Sequence, residues 1–123
     1  MYKLVEIIPY EVTRDLVLEG DKRITVFDDT DVRGGDAFAF VKVGEQYDCK
    51  IGVLGDLDPA GSRFKVAGTA QLGCYQVTRI VDEDGCEFYL EPVGEAVDGD
   101  EVWIKVERYD LLQVNDVVHP GYM

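Results

Sequence analysis

The chain is poor in the residues that most often carry chemistry. Its 123 residues include one Ser (Ser62), one Asn (Asn115), one His (His119) and one Trp (Trp103). A Ser–His–acid triad therefore has a single Ser and a single His to draw on. His119 stands beside Pro120 and Gly121, four residues before Met123, where an imidazole is hard to hold to catalytic precision. We expect it to be a solvated side chain. Bases are scarce too: 12 Lys and Arg face 25 Asp and Glu, giving a net charge of -13 and a pI near 4.3. Proteins that grip nucleic acid do so largely by neutralising phosphates, so this balance argues against direct binding to nucleic acid or to an anionic membrane. No apolar run approaches the roughly 20 residues that cross a bilayer, and the opening Met1-Tyr2-Lys3-Leu4-Val5-Glu6 lacks the apolar stretch of a signal peptide. We expect a soluble, cytoplasmic protein.

The three cysteines, Cys49, Cys74 and Cys86, form no C-x-x-C pair and have one His to join them, which argues against a structural zinc. An odd number suits a reducing compartment, and free thiols are the expected state. No cofactor is implied by any motif. The glycines of Arg33-Gly34-Gly35-Asp36 lead into an expected strand without the helix or lysine that a phosphate loop needs.

What is present suits a β-protein. At 46% hydrophobic, the chain can fill one core, and we read residues 1–123 as a single domain without linker or repeat. Apolar and polar residues alternate over short runs punctuated by Gly, Pro and Asp every 8 to 12 residues or so, the all-β pattern. Strands are expected near 2–8, 11–18, 22–28, 37–43, 47–54, 63–67, 74–81, 86–92 and 101–108. Gly20-Asp21, Gly44-Glu45, Asp84-Gly85 and Asp98-Gly99 supply tight turns, and residues 28–36 and 55–62 supply longer breaks. The fold class expected is all-β: a single small barrel of about eight or nine short antiparallel strands, OB-like or SH3-like in size, because closure leaves no long open edge.

Strand alternation assigns faces. Tyr47, Cys49, Ile51 and Val53 are expected inside, as are Val102, Ile104 and Val106. In the hairpin expected from residues 74–81 and 86–92, Val77, Val81, Cys86, Phe88 and Leu90 are inside, with Gln76, Thr78, Glu87, Tyr89 and Glu91 outside.

The sharpest feature is a segregation of charge. No base lies between Arg79 and Lys105, while Asp82, Glu83, Asp84, Glu87, Glu91, Glu95, Asp98, Asp100 and Glu101 supply nine acids. These are expected to gather on one side and to create a strongly negative field. Tyr89 and Trp103 point outward by the same alternation, and aromatic anchors within a charged rim are the anatomy of a protein interface. The sequence thus predicts a non-enzymatic module binding a basic protein partner, such as an inhibitor, nucleic-acid mimic or immunity-like protein. Its partner-binding residues would be Trp103, Tyr89, Glu87, Glu91, Glu101, Asp82, Asp84, Asp98 and Asp100.

Two other readings compete. In one, the chain is an assembly subunit that forms homo-oligomers through strand edges, and the charge confers solubility. In the other, Asp82, Asp84, Asp98 and Asp100 together hold a divalent cation. Asp29-Thr30-Asp31 starts like a calcium loop, but Arg33 occupies a ligand position and Phe40 stands where the bidentate Glu belongs, so we read a plain connection. Phe38-Ala39-Phe40-Val41-Lys42 resembles over five residues the aromatic motif of RRM and cold-shock sheets. Asp36 and Ala37 stand where that motif has a base and a Gly, and we read a central core strand.

Overall fold

The computed structural model describes residues 1–30, 37–90 and 98–123. Among the described residues nine strands follow one another: β1 (Tyr2–Pro9), β2 (Arg14–Glu19), β3 (Arg23–Asp28), β4 (Gln46–Tyr47), β5 (Cys49–Leu72), β6 (Tyr75–Val81), β7 (Glu87–Leu90), β8 (Glu101–Val114) and β9 (Val117–Val118). One 3-10 turn, Pro120–Tyr122, follows them. The strands form a single sheet in the order β4-β1-β2-β3-β8-β5-β6-β7, with β9 beside β8. The all-β class is as the alternation predicts.

The expected barrel does not close. Closure of this order would need β7 to pair with β4, but β7 folds back onto β5, where Gly52 faces Tyr89, and β4 is two residues long. The sheet nevertheless coils around one core, in which Leu4, Leu16, Leu18, Val26, Ile51, Phe64, Ile80, Phe88, Ile104 and Leu111 are buried. Phe88 stands at its centre, edge-on to Phe64 at 6.0 Å and stacked on Tyr109 at 5.1 Å between ring centroids.

The expected break at residues 55–62 is not a break. β5 runs through it for 24 residues, pairing with β8 on both sides of an extruded segment: Leu57 and Ser62 both face Ile104, and residues 58–61 bulge out between them. Two glycines make this possible. A Cβ on Gly55 would lie 2.2 Å from the Lys105 carbonyl oxygen, and one on Gly61 would lie 2.3 Å from the Ile104 carbonyl carbon. The Ile104-Lys105 backbone is thus approached closely at both ends of the bulge, where only a residue without Cβ fits.

The expected strand at 37–43 is a turn. The Arg14 guanidinium donates 2.7 Å to the Phe38 carbonyl oxygen, and the Val41 N–H also turns back onto that carbonyl. Phe38 is thereby driven fully into the core while Phe40 stays exposed against Tyr47, so these aromatics are neither a base-stacking strand nor a central one.

Candidate functional site

Trp103 lies on the outer face of β8, flanked inside by the partly buried Val102 and the buried Ile104, and opposite Arg63 of β5. Its side chain is 39% exposed. It borders a shallow cavity of about 540 Å³ whose wall includes Lys22, Gly61, Ser62, Arg63 and Glu83. The fold brings to this place the turn between β6 and β7, with Asp82, Glu83 and Asp84, together with the first residue of β8, Glu101.

These acids do not stand alone, as the sequence order suggests. Arg63 Nε lies 3.4 Å from Glu83, and its Nη1 lies 3.8 Å from Glu101. Lys22, from the turn between β2 and β3, pairs with Asp82 and lies 3.9 Å from Asp84. Asp82 is a turn-former as well as an ion: its Oδ1 accepts the N–H groups of Asp84 and Cys86, each at 2.9 Å. Partial burial raises the Asp82 pKa, but the hydrogen bond from Lys22, the backbone donors and the Lys22 charge outweigh it, and the carboxyl ends below its ordinary range. Burial likewise pulls Lys22 down, and Asp82 more than offsets it, leaving the ammonium above its ordinary value. Asp84 remains 72% exposed at the turn tip.

The remaining described acids lie in the turn before β8 and on β7. Asp98 and Asp100 flank Gly99 in a turn held against β5 by Gly99 N–H to Val66 O and Val66 N–H to Asp100 O, each 2.8 Å. Glu87 is engaged by Arg79 at 2.6 Å on the β6–β7 ribbon. Glu91 and Glu95 lie outside the described residues. Among the described residues no three His, Cys, Asp or Glu side chains converge as a metal ligand set.

Tyr89 does not share the Trp103 surface. It is 7% exposed, buried in a second small cluster with Leu72, Val77 and Leu112, which Val118 and Tyr122 help to cover. The cause is the chain beyond β8. The Cys74 N–H donates 2.8 Å to the Tyr122 carbonyl oxygen, so the 3-10 turn docks on the β5–β6 connection and seals a face that alternation leaves open. The pairing also corrects the hairpin faces: Ile80 pairs with Phe88 and Thr78 with Leu90 toward the main core, while Val77 joins Tyr89 on the other side.

His119, expected in solvent, is 7% exposed. Its Nδ1 accepts the Gly121 N–H at 2.9 Å, so the neutral ring carries its proton on Nε2 and donates it to Asp29 Oδ1 at 2.5 Å. Both ring nitrogens are thus engaged within the fold. Ser62 is distant: it faces Ile104, whereas His119 bonds Leu112, about 26 Å further along the same extended strand.

Sequence reasoning missed Lys22 and Arg63, since nothing local in either segment points to the β6–β7 turn. It missed the Asp29–His119 pair because the two lie 90 residues apart. All three cysteines are free thiols, with Cys74 exposed, Cys49 half-buried and Cys86 buried. Among the described residues no helix is long and apolar enough to cross a membrane. Comparison with known proteins finds no matching family model, no similar curated protein and no similar solved structure.

Proposed function

We propose that the protein is a non-enzymatic binding module whose Trp103 face engages a basic surface of a partner protein, in a reducing, cytoplasmic setting. The observation that supports this reading is the half-exposed indole of Trp103 beside an acid-rich rim in which Glu83, Asp84 and Glu101 face solvent. Tyr89 has no part in it, since it is covered by the protein's own chain. An exposed indole with two neighbouring cations and a surplus of acids suits a partner that brings Arg or Lys: the acids steer the encounter, and the ring supplies apolar and cation–π contact.

The test is capture of partners from lysate by the full chain at low and at high salt, beside Trp103→Ala and the double reversal Glu83→Lys with Asp84→Lys. A basic protein retained at low salt, released by salt and lost with both variants is the expected result. Partner binding indifferent to Trp103→Ala would overturn the reading.

A further inference from the structure

The sheet has an open seam. β8 is paired along one edge with β5, but on its other edge β9 covers only Gln113 and Val114, and β3 meets it only where Phe27 faces Asp110. β3 is paired with β2 along its whole length, and its opposite edge meets β8 at that same single point. Among the described residues, 102–108 of β8 and 23–26 of β3 therefore have no strand partner on the sides that face one another. Between them lies a groove of about 500 Å³ lined by Asp15, Thr25, Phe27, Val106, Arg108 and Tyr109.

Alternate residues of such edges aim N–H and C=O groups into the gap, a ready template for another strand. The side chains also suit one. Val102, Val106 and Tyr109 form the partly buried rim of the core along β8, and Trp103, Lys105 and Glu107 alternate outward. A strand laid in the seam would cover the rim with one set of its side chains and lie beside Trp103 with the other.

We propose that the seam between β3 and β8 takes up an extended segment of about six residues from the basic partner as an added strand, with apolar and basic side chains in alternation. The proposal rests on the reading of the Trp103 face given above and supplies its mode of binding. Charge selects the occupant. Lys22 is paired with Asp82 and Arg108 with Asp110, which leaves Asp15, Glu83, Asp84, Glu101 and Glu107 along this side against Arg63 and Lys105. A second copy of the chain, with its own net charge of -13, is opposed by the same balance.

The experiment uses the full chain and a synthetic heptapeptide of alternating lysine and valine, beside the same peptide N-methylated at every second residue so that one edge cannot donate. The readouts are affinity, and hydrogen exchange at individual amides. The expected result is protection of alternate amides within 102–108 and 23–26 by about tenfold or more, lost with the N-methylated peptide. Equal binding of both peptides without that protection would overturn strand addition, as would no binding of either. Protection of the same amides in the protein alone, at twice the 13.8 kDa mass, would assign the seam to a second copy and overturn the proposal as well. Capture lost on Trp103→Ala reports on the face and amide protection on the seam, so a failure of strand addition is told apart from a failure of the face reading.

Discussion

Lys22 and Asp82, 60 residues apart, form an ion pair that ties the turn between β2 and β3 to the turn between β6 and β7. The ammonium also sits 5.6 Å above the ring of Phe88 at the centre of the core. The sheet is not closed by hydrogen bonds at this end, and this side-chain clasp spans the gap instead. Truncating Asp82 to Ala removes the ion pair and leaves two turn N–H groups without their acceptor. A loss of about 1–3 kcal/mol is expected in denaturant titration, with Asp82→Asn costing less because its side-chain oxygen still serves the turn.

The pH dependence of the clasp follows from the two shifts. The folded Asp82 ionises below its ordinary value of 3.8, so its stabilisation is complete above that value and is lost as the pH falls through the lower, folded one. The folded Lys22 titrates above its ordinary 10.5, so its stabilisation is complete below 10.5 and is lost as the pH rises through the higher, folded value. The stability difference between wild type and Lys22→Met should be flat from about pH 5 to 9 and should narrow at both extremes. A difference that varied across the neutral range would show that another group sets it.

Gly55 and Gly61 should tolerate no side chain. The Cβ of an alanine at either position meets backbone rather than a side chain that can swing away. Gly55→Ala and Gly61→Ala should each cost about 2–4 kcal/mol, read from unfolding midpoints. Gly85→Ala is the comparison, a positive-φ glycine with nothing near its Cβ; it should lose only about 1 kcal/mol from backbone strain.

The thiols should react in a fixed order. Burial, with the neighbouring Asp48 carboxylate, pushes the Cys49 thiol up to about 12, which leaves roughly one molecule in ten thousand as thiolate at pH 8. Burial and the Asp82 charge also raise Cys86. A thiol reagent at pH 8 should therefore label Cys74 alone in the folded protein and all three cysteines in urea, as peptide mass spectrometry would record.

His119→Ala should destabilise the protein by about 2 kcal/mol through the loss of the bond to Asp29 and the acceptor for Gly121. Hydrogen exchange should rise first in residues 117–123, and Tyr89 should become accessible as the Tyr122 cover loosens. An unchanged midpoint would mean that the pair contributes nothing to the fold.

The strands of the two hairpins β1–β2–β3 and β6–β7 were legible in the sequence, because period-two alternation and turn residues are local properties that no partner is needed to set. The inside face of β8 was legible for the same reason: Val102, Ile104 and Val106 alternate without interruption among charged neighbours and Trp103. The phase of β6 was not, since Val77, Thr78, Ile80 and Val81 offer apolar or neutral residues to both faces, and only pairing with Phe88 decides between them. Residues 55–62 carry Gly, Asp and Pro and look like a loop; they stay in a strand because β8 pairs with the chain on either side of the bulge.

The sequence by itself determined the all-β class, the scarcity of catalytic side chains and the acidic surplus, all of which are set by composition and short-range pattern. Only the tertiary structure decided where the charges and aromatics go. Lys22 and Arg63 cross from distant segments to temper the acids around Trp103, and the C-terminal turn folds over Tyr89. It also decided that the sheet remains open, since β7 finds its last partner in β5 rather than in β4, and that β3 and β8 touch at one pair. Those outcomes depend on contacts between residues far apart in the chain, whose geometry no local pattern encodes.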